Sequence, residues 1–197
     1  DAHEHFIEVP ELQDRFIKRY LWHGLGLHFI PKVDLAYTVG TNLQRLLSRT
    51  YNQRFHNIPN YPLLNEASDV AHAHSNLILY QGALNAGRGL ETSINAMHHL
   101  KEMRLELAGE GDLSAPLRQK GRSEKLEDRV VFLGRLKPEV LKQKTPHAFV
   151  GLNLLDESSL NYYYSSANKY FDYAMAGIPS INMRFPEYEQ MDPYEKH

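Results

Sequence analysis

The chain has 197 residues, 42% apolar and 23% charged, with a formal net charge of −2 and no cysteine. Its length allows a well-buried core and falls between one large domain and two small ones. The charge offers no basic excess for a nucleic acid, and the missing thiols exclude disulfides, thiolate chemistry and cysteine-based zinc sites.

The opening DAHEHF carries no charged-then-apolar leader, and the chain is expected to be an internal piece of something larger. A helix is predicted over much of 11–29. Its stretch RFIKRYLWHGLGLHFI mixes basic and aromatic residues. That composition suits weak peripheral contact with a membrane surface, or packing on the protein's own sheet, and the second is favoured. VDLAYTVG (33–40) reads as a strand, TNLQRLLSRTY (41–51) as a helix begun by a Thr/Asn cap, and RFHNIPNYP as a short strand entering a linker. These units are too few for a doubly wound sheet, so residues 1–65 are expected to form part of a domain. The boundary is placed in the polar segment LNEASDVAHAH between Pro62 and Asn76.

Residues 66–197 are expected to form the second domain. Short apolar runs alternate with helical ones: strands at 76–82, 104–109, 129–134, 148–155 and 179–183, helices at 89–101, 113–122, 138–144 and 166–176. The runs resemble parallel strands covered on both faces. The fold class predicted is α/β, a Rossmann-like doubly wound parallel sheet preceded by a partial second α/β domain.

Ligands of such sheets bind outside the carboxyl ends of the strands, which directs attention to the loops after Tyr80, Leu107, Leu133 and Leu155. The first, GALNAGRG, has Gly82, Gly87 and Gly89 for close backbone approach and Arg88 for phosphate. It matches neither G-x-G-x-x-G nor a Walker A loop, which weakens a nicotinamide reading. The second, AGEGD, sets Gly109 and Glu110 at a tight turn, where a structural role is favoured over a ligand contact. In SSANKYFDYAMAGIPSI (165–181), Ser165 or Ser166 is the expected N-cap. Ser165, Asn168 and Asp172 would share one helical face, with Lys169 in the first turn. Gly177 and Pro179 end the helix. The stripe either faces a ligand, Asp172 accepting ribose hydroxyls, or is a solvated face on which Asp172 pairs with Lys169. The run Tyr162–Tyr164 either flanks a ligand or packs. Eleven histidines include His3/His5, His72/His74 and His98/His99, but no H-E-x-x-H occurs and no zinc site is expected.

Taken together, these segments resemble family 4 glycosyltransferases, enzymes of the two-Rossmann-domain (GT-B) type. SSANKYFDYAMAGIPSI is similar to the family's PNK-[L/F]-FEY-M-x-x-G-x-P, LYQGALNAGRGLETSINAM to its G-R-L-x-x-x-K-G loop, and LELAGEGDL and RVVFLGRL to the next two strands. DAHEHF is like its D-x-H-E and FHNIPN like its N-x-P before the interdomain linker. The resemblance implies retaining transfer of a hexosyl group from a nucleotide-diphosphate sugar to an acceptor hydroxyl of a glycan or lipid-linked acceptor, as in surface or capsular polysaccharide synthesis. It implies a cytoplasmic location, at the inner face of the membrane where acceptors are lipid-linked. The donor is a co-substrate, and neither a cofactor nor a divalent metal is implied.

By position, Arg88 stands for the phosphate-binding Lys of K-G, Asn168 and Lys169 for the N-K against the diphosphate, and Asp172 for the second Glu of E-x7-E, which holds the ribose. Gly82, Gly109 and Glu110 line the cleft, and His3 stands near the reacting sugar; His3, Arg88 and Lys169 are the candidate catalytic residues. The chain departs from the pattern at Tyr164, where the first acid of E-x7-E would fall, at Ala83 in place of the Arg of G-R-L, at Asp172 in place of Glu, and at Ala167 in place of Pro. Opening strands of the first domain and a final helix crossing back to it are not evident. The chain alone is therefore expected to bind nucleotide weakly, to transfer little sugar, and to associate through its incomplete domain. Two alternatives stay open, a non-catalytic nucleotide-binding module and an NAD-type oxidoreductase domain.

Overall fold

The structure, a computed structural model, describes Ala2 and residues 15–62, 75–157 and 160–191. His3, His5 and the whole LNEASDVAHAH segment, with His72 and His74, lie outside them. The contacts divide the chain into two units. One comprises Asp1–Asn60, Asp156–Ser166 and Arg184–His197, the other Tyr61–Leu155 and Ala167–Met183. The sequence reading drew no returning segments, because nothing local in 156–166 or 184–191 marks a partner so distant along the chain.

In the first unit, α1 (Phe16–Phe29) leads to β1 (Ala36–Thr38), α2 (Thr41–Tyr51) and β2 (Phe55–Asn57). The two strands pair in parallel, Ala36 opposite Phe55, and Ala2 bridges Thr38 in parallel. Helix α2 places Leu43, Leu47 and Tyr51 at i, i+4 and i+8 against Ala36 and Phe55. It ends at Asn52 with φ of 48°, a left-handed position that Asn tolerates. α1 behaves otherwise than expected. It buries no residue, and Phe16, Ile17 and Tyr20 are more than three-quarters exposed. Arg19, His23, Gly26 and Ile30 are the partly covered positions, so its more polar and small-residue stripe is the inward one. The favoured packing of its apolar face on a sheet of its own is not observed among the described residues, because a two-stranded sheet offers that face little surface.

The expected Thr/Asn cap of α2 is also replaced. Its N-cap is Gly40, and the first-turn donors are taken by Glu187 from α8 (Pro186–Met191). Thr41 N donates to Oε1 at 2.5 Å, while Asn42 N and Nδ2 donate to Oε2 at 3.1 and 2.7 Å. A buried carboxylate satisfies these otherwise orphaned groups and meets the positive end of the helix dipole, which a hydroxyl does not. Glu187→Ala is expected to cost about 1–2 kcal/mol, the usual worth of a helix cap, read as a lowered urea midpoint. The tyrosine run lies in α6 (Leu160–Tyr163) and the turn after it. Tyr164 packs against the Leu43–Leu47 cluster, and the Tyr163 ring meets Phe185 at 5.4 Å.

The second unit is built from β3 (Leu77–Gln81), α3 (Leu90–Ala96), β4 (Arg104–Ala108), α4 (Ser114–Ser123), β5 (Val130–Gly134), α5 (Pro138–Lys144), β6 (Val150–Asn153), α7 (Asn168–Met175) and β7 (Ser180–Asn182). All five strands are parallel in the order β5-β4-β3-β6-β7. The order reverses at β3 and β6, which is the topological switch point where open α/β sheets hold ligands. Alternation sorts the strands. Ile78, Tyr80, Leu105 and Leu107 face Leu90, Ile94 and Leu117 on one side; Leu79 and Ala108 face Tyr173 and Ile178 on the other. Among the described residues no helix is long and apolar enough to cross a membrane.

Candidate functional site

Two loops at the carboxyl ends of β3 and β4 are stitched together by their backbones. Gly82 N donates to Ala108 O at 2.9 Å, Leu84 N to Glu110 O at 3.2 Å and Leu113 N to Leu84 O at 2.8 Å. A Cβ on Gly109, whose φ is 155°, would lie 1.8 Å from the carbonyl oxygen of Gly82. Bare backbone at Gly109 is what lets the loops close to this distance.

Helix α7 supplies the charge. Its first residue, Asn168, is exposed, and Lys169 follows at 6% exposure. Its N-cap is Ala167, without a side-chain cap; the Ser165 and Ser166 hydroxyls expected there are buried and bond nothing among the described residues. Ser165 instead sits in the turn after α6, its N–H on Tyr162 O, so only Asn168 and Asp172 of the predicted stripe belong to the helix. At the far end Gly177 has φ of 71° and donates to Ala174 O, while Ile178 N reaches Tyr173 O. This is a Schellman closure on the glycine predicted to provide it. Tyr173 anchors α7 to the sheet, its hydroxyl accepting from Gln81 N and lying within 3.3 Å of the Leu79 and Leu152 carbonyls. Burial drives its pKa far upward, and it stays a neutral phenol.

Lys169 Nζ has no hydrogen-bond partner among the described residues. It sits 4.3 Å from the centre of the Tyr80 ring, and a Cβ on Gly82 would be 3.8 Å from it. The aromatic face offers partial compensation to a desolvated cation. Burial, and then the charge of Arg88, lowers the Lys169 pKa to about 7. The structure thus brings Gly82, Gly109, Arg88 and Lys169 to the switch-point edge of the sheet. An ammonium left unpaired there is a place for an anion.

Asp172 takes a different partner from the Lys169 that a solvated face would give it. It does not pair with Lys169; its Oδ2 accepts a 2.7 Å hydrogen bond from Gln81 Nε2. The residue is exposed overall, but its carboxyl is drawn toward the sheet, and that desolvation raises its pKa against the lowering effects of the Gln81 bond and the Lys142 charge. Asp172, Gln81, Pro138, Leu141, Lys142 and Met175 are among the residues lining a cleft of about 440 Å³. Glu110 turns to its own loop instead. It accepts from Arg118 Nη2 at 2.9 Å, and bonding with Ser114, followed by Arg118 and Arg135, keeps its carboxyl below the usual range. His3 lies outside the described residues. Among the described residues no three His, Asp or Glu side chains gather as a metal site.

Sequence reasoning missed Tyr80 and Gln81. A glutamine ending the apolar run LILYQ was the available signal for the second.

No family model and no curated protein sequence matches the chain. Solved structures do. HepE from Anabaena, solved with UDP and glucose, superposes with a TM-score of 0.73 at 16% identity over 96% of this chain and 54% of its own. Sucrose-phosphate synthase from Thermosynechococcus elongatus gives 0.69 at 20% identity over 90% of this chain and 46% of its own. The pneumococcal O-GlcNAc transferase GtfA, solved with UDP and GlcNAc, gives 0.63 at 19% identity over 84% and 33%. The chain therefore spans between a third and about half of these proteins. The architecture, a five-stranded parallel α/β sheet with a second, smaller α/β unit, is that of glycosyltransferases of GT-B type.

Proposed function

We propose that the chain carries the donor-binding part of a retaining family 4 glycosyltransferase, which moves a sugar from a nucleotide-diphosphate sugar to an acceptor hydroxyl. The single observation that carries this reading is the buried Lys169 ammonium beside Gly82 at the switch point, without a hydrogen-bond partner among the described residues. Lys169 and Arg88 hold the diphosphate, Gly82 and Gly109 admit it to the backbone, Asn168 flanks it, and Asp172 accepts the ribose hydroxyls. Glu110 braces the second loop. As the acceptor oxygen bonds to the anomeric carbon, the bond from that carbon to the diphosphate oxygen breaks, and the acceptor proton passes to the leaving phosphate. Negative charge grows on the diphosphate at that moment, and preorganised cations stabilise it more than they stabilise the intact donor. His3, outside the described residues, is assigned to the reacting sugar on the family resemblance alone. A cytoplasmic role in surface or capsular polysaccharide synthesis suits the same chemistry.

A second reading, a nucleotide-binding module without transfer, is favoured by Tyr164. It packs into the first unit's core at the position of the family's first acid. Donor turnover by the full-length gene product separates the two. For the chain itself the test is thermal unfolding with UDP, GDP, ADP, CMP and NAD. Ligand at a hundredfold excess over Kd stabilises by about 2.7 kcal/mol. A raised midpoint with one nucleoside diphosphate, lost in Arg88→Ala, is expected. A shift with NAD alone would point to an oxidoreductase, and silence across the panel would overturn donor binding by this chain.

A further inference from the structure

Gln81 is 5% exposed at the last position of β3, on the sheet face that α7 covers. A buried amide has two ends to satisfy, and here each has a distinct partner. Thr145 Oγ1, itself 3% exposed, lies 3.0 Å from Gln81 Oε1 and 2.7 Å from Leu141 O, so its single hydroxyl proton is shared between two acceptors. An ionised carboxylate only accepts, so Asp172 takes the Nε2 end of the amide, and the Thr145 hydroxyl, donating to Oε1, holds the other end. Nε2 then donates to Asp172 Oδ2 at 2.7 Å. Asp172 Oδ1 accepts no hydrogen bond among the described residues, and Asp172 and Gln81 both line the 440 Å³ cleft.

We infer that Gln81 is a positioning residue: its amide, held at its oxygen by Thr145, pins one oxygen of Asp172 and leaves the other to receive a ligand hydroxyl. The inference rests on the donor reading for the identity of that ligand, a nucleoside with a free ribose. Its geometry stands without it. Aspartate is one methylene shorter than the glutamate of the family pattern, so its carboxylate reaches less far from α7. A donor rising from the last residue of β3 meets it there and fixes its rotamer. The cost of ordering a free carboxylate is then met before the ligand arrives.

Two readouts separate this role from packing. The first is the Asp172 carboxyl titration followed by NMR in the ligand-free chain. Besides burial, two groups act on that carboxyl, the Gln81 amide in β3 and the Lys142 ammonium in α5; the neighbouring Tyr173 in α7 is a neutral phenol. Gln81→Met removes the amide and keeps the apolar stem, so desolvation is left less opposed and the pKa of Asp172 is expected to rise; Thr145→Val, which removes the hydroxyl's hold on the amide, should raise it less. The second readout compares UDP with inorganic pyrophosphate, which has no ribose. Gln81→Met is expected to weaken UDP roughly tenfold or more, the worth of one hydrogen bond to a charged group, and to leave pyrophosphate unchanged. An unmoved Asp172 titration in both variants, or equal weakening of UDP and pyrophosphate, overturns the inference. Shifted variant titrations, together with a wild-type chain that binds no nucleoside diphosphate, would instead keep the positioning role and remove the donor reading. Should Gln81→Met fail to fold, Thr145→Val with the same two readouts decides the matter.

Discussion

Lys169→Met is expected to raise the thermal midpoint of the ligand-free chain while removing its hold on pyrophosphate and nucleoside diphosphates. The two halves of that result have one cause. The ammonium is buried, lacks a hydrogen-bond partner among the described residues and is opposed by the Arg88 charge. Methionine keeps the length and apolar character of the stem and discards the charge, a kind of exchange that stabilises by on the order of 1–4 kcal/mol when a buried ion goes. For a chain of this size each kcal/mol moves the midpoint by about 2–4 °C. The effect has a definite pH dependence. In the unfolded chain lysine titrates near 10.4, whereas in the folded chain Lys169 titrates at about 7. Between those values the unfolded chain holds the extra proton, so wild-type stability rises with pH across that window. The advantage of Lys169→Met is therefore largest at pH 6 and fades toward pH 10. By the same linkage, a phosphate that pairs with the ammonium raises its pKa, and binding above pH 7 takes up a proton. A calorimetric titration in buffers of differing ionisation enthalpy reads that uptake directly. A lower midpoint for the variant at pH 6 would mean that the ammonium is well compensated, and the anion site would lose its main support.

Gly109→Ala is expected to be the most damaging single-methyl change in the second unit. The new Cβ would stand 1.8 Å from a backbone oxygen of Gly82, and no side chain can yield to relieve it. The φ of 155° adds strain of its own for an L-residue. The β3 and β4 loops must separate, which breaks the Gly82–Ala108 hydrogen bond and displaces Gly82 from beneath Lys169. A loss of roughly 3–5 kcal/mol is expected, at the upper end for a point substitution, with nucleotide binding lost as well. Urea unfolding measures the first and the ligand panel the second. A loss below about 1 kcal/mol would show that the two loops are not held as closely as their backbone bonds indicate.

What was legible in the sequence follows from how far each interaction reaches. Strands such as LILYQ and VVFLG declare themselves by local composition, and β3 to β7 all appear within a few residues of where those runs placed them. Gly177 and Pro179 could be read because a helix terminator is a local device. Gly82, Arg88, Gly109 and Lys169 were singled out from motif spacing, and topology gathers them at one edge. The cap of α2 was misread because its carboxylate comes from Glu187, 146 positions away, and a Thr-Asn pair at a helix start looks sufficient by itself. Ser165 and Ser166 looked like caps for the same reason, although the cap position falls on Ala167 and the helix begins at Asn168. Gln81 was passed over because its partners, Thr145 and Asp172, are more than sixty residues distant along the chain.

The returning segments have a bearing on the order in which the chain matures. The helix beginning at Thr41 receives its carboxylate only after Glu187 has been made, and Tyr164 reaches the Leu43–Leu47 cluster only after the first five parallel-sheet elements, β3 to β5 with α3 and α4, exist. On a ribosome the second unit can gather β3, β4 and β5 while the first still waits for its last pieces. Such distant contacts slow folding because the loop must close before the contact rewards it. The first unit is therefore the late one despite preceding the other in sequence, and a chain released at Met183 would hold every element of the five-stranded sheet while its α2 kept an open amino end.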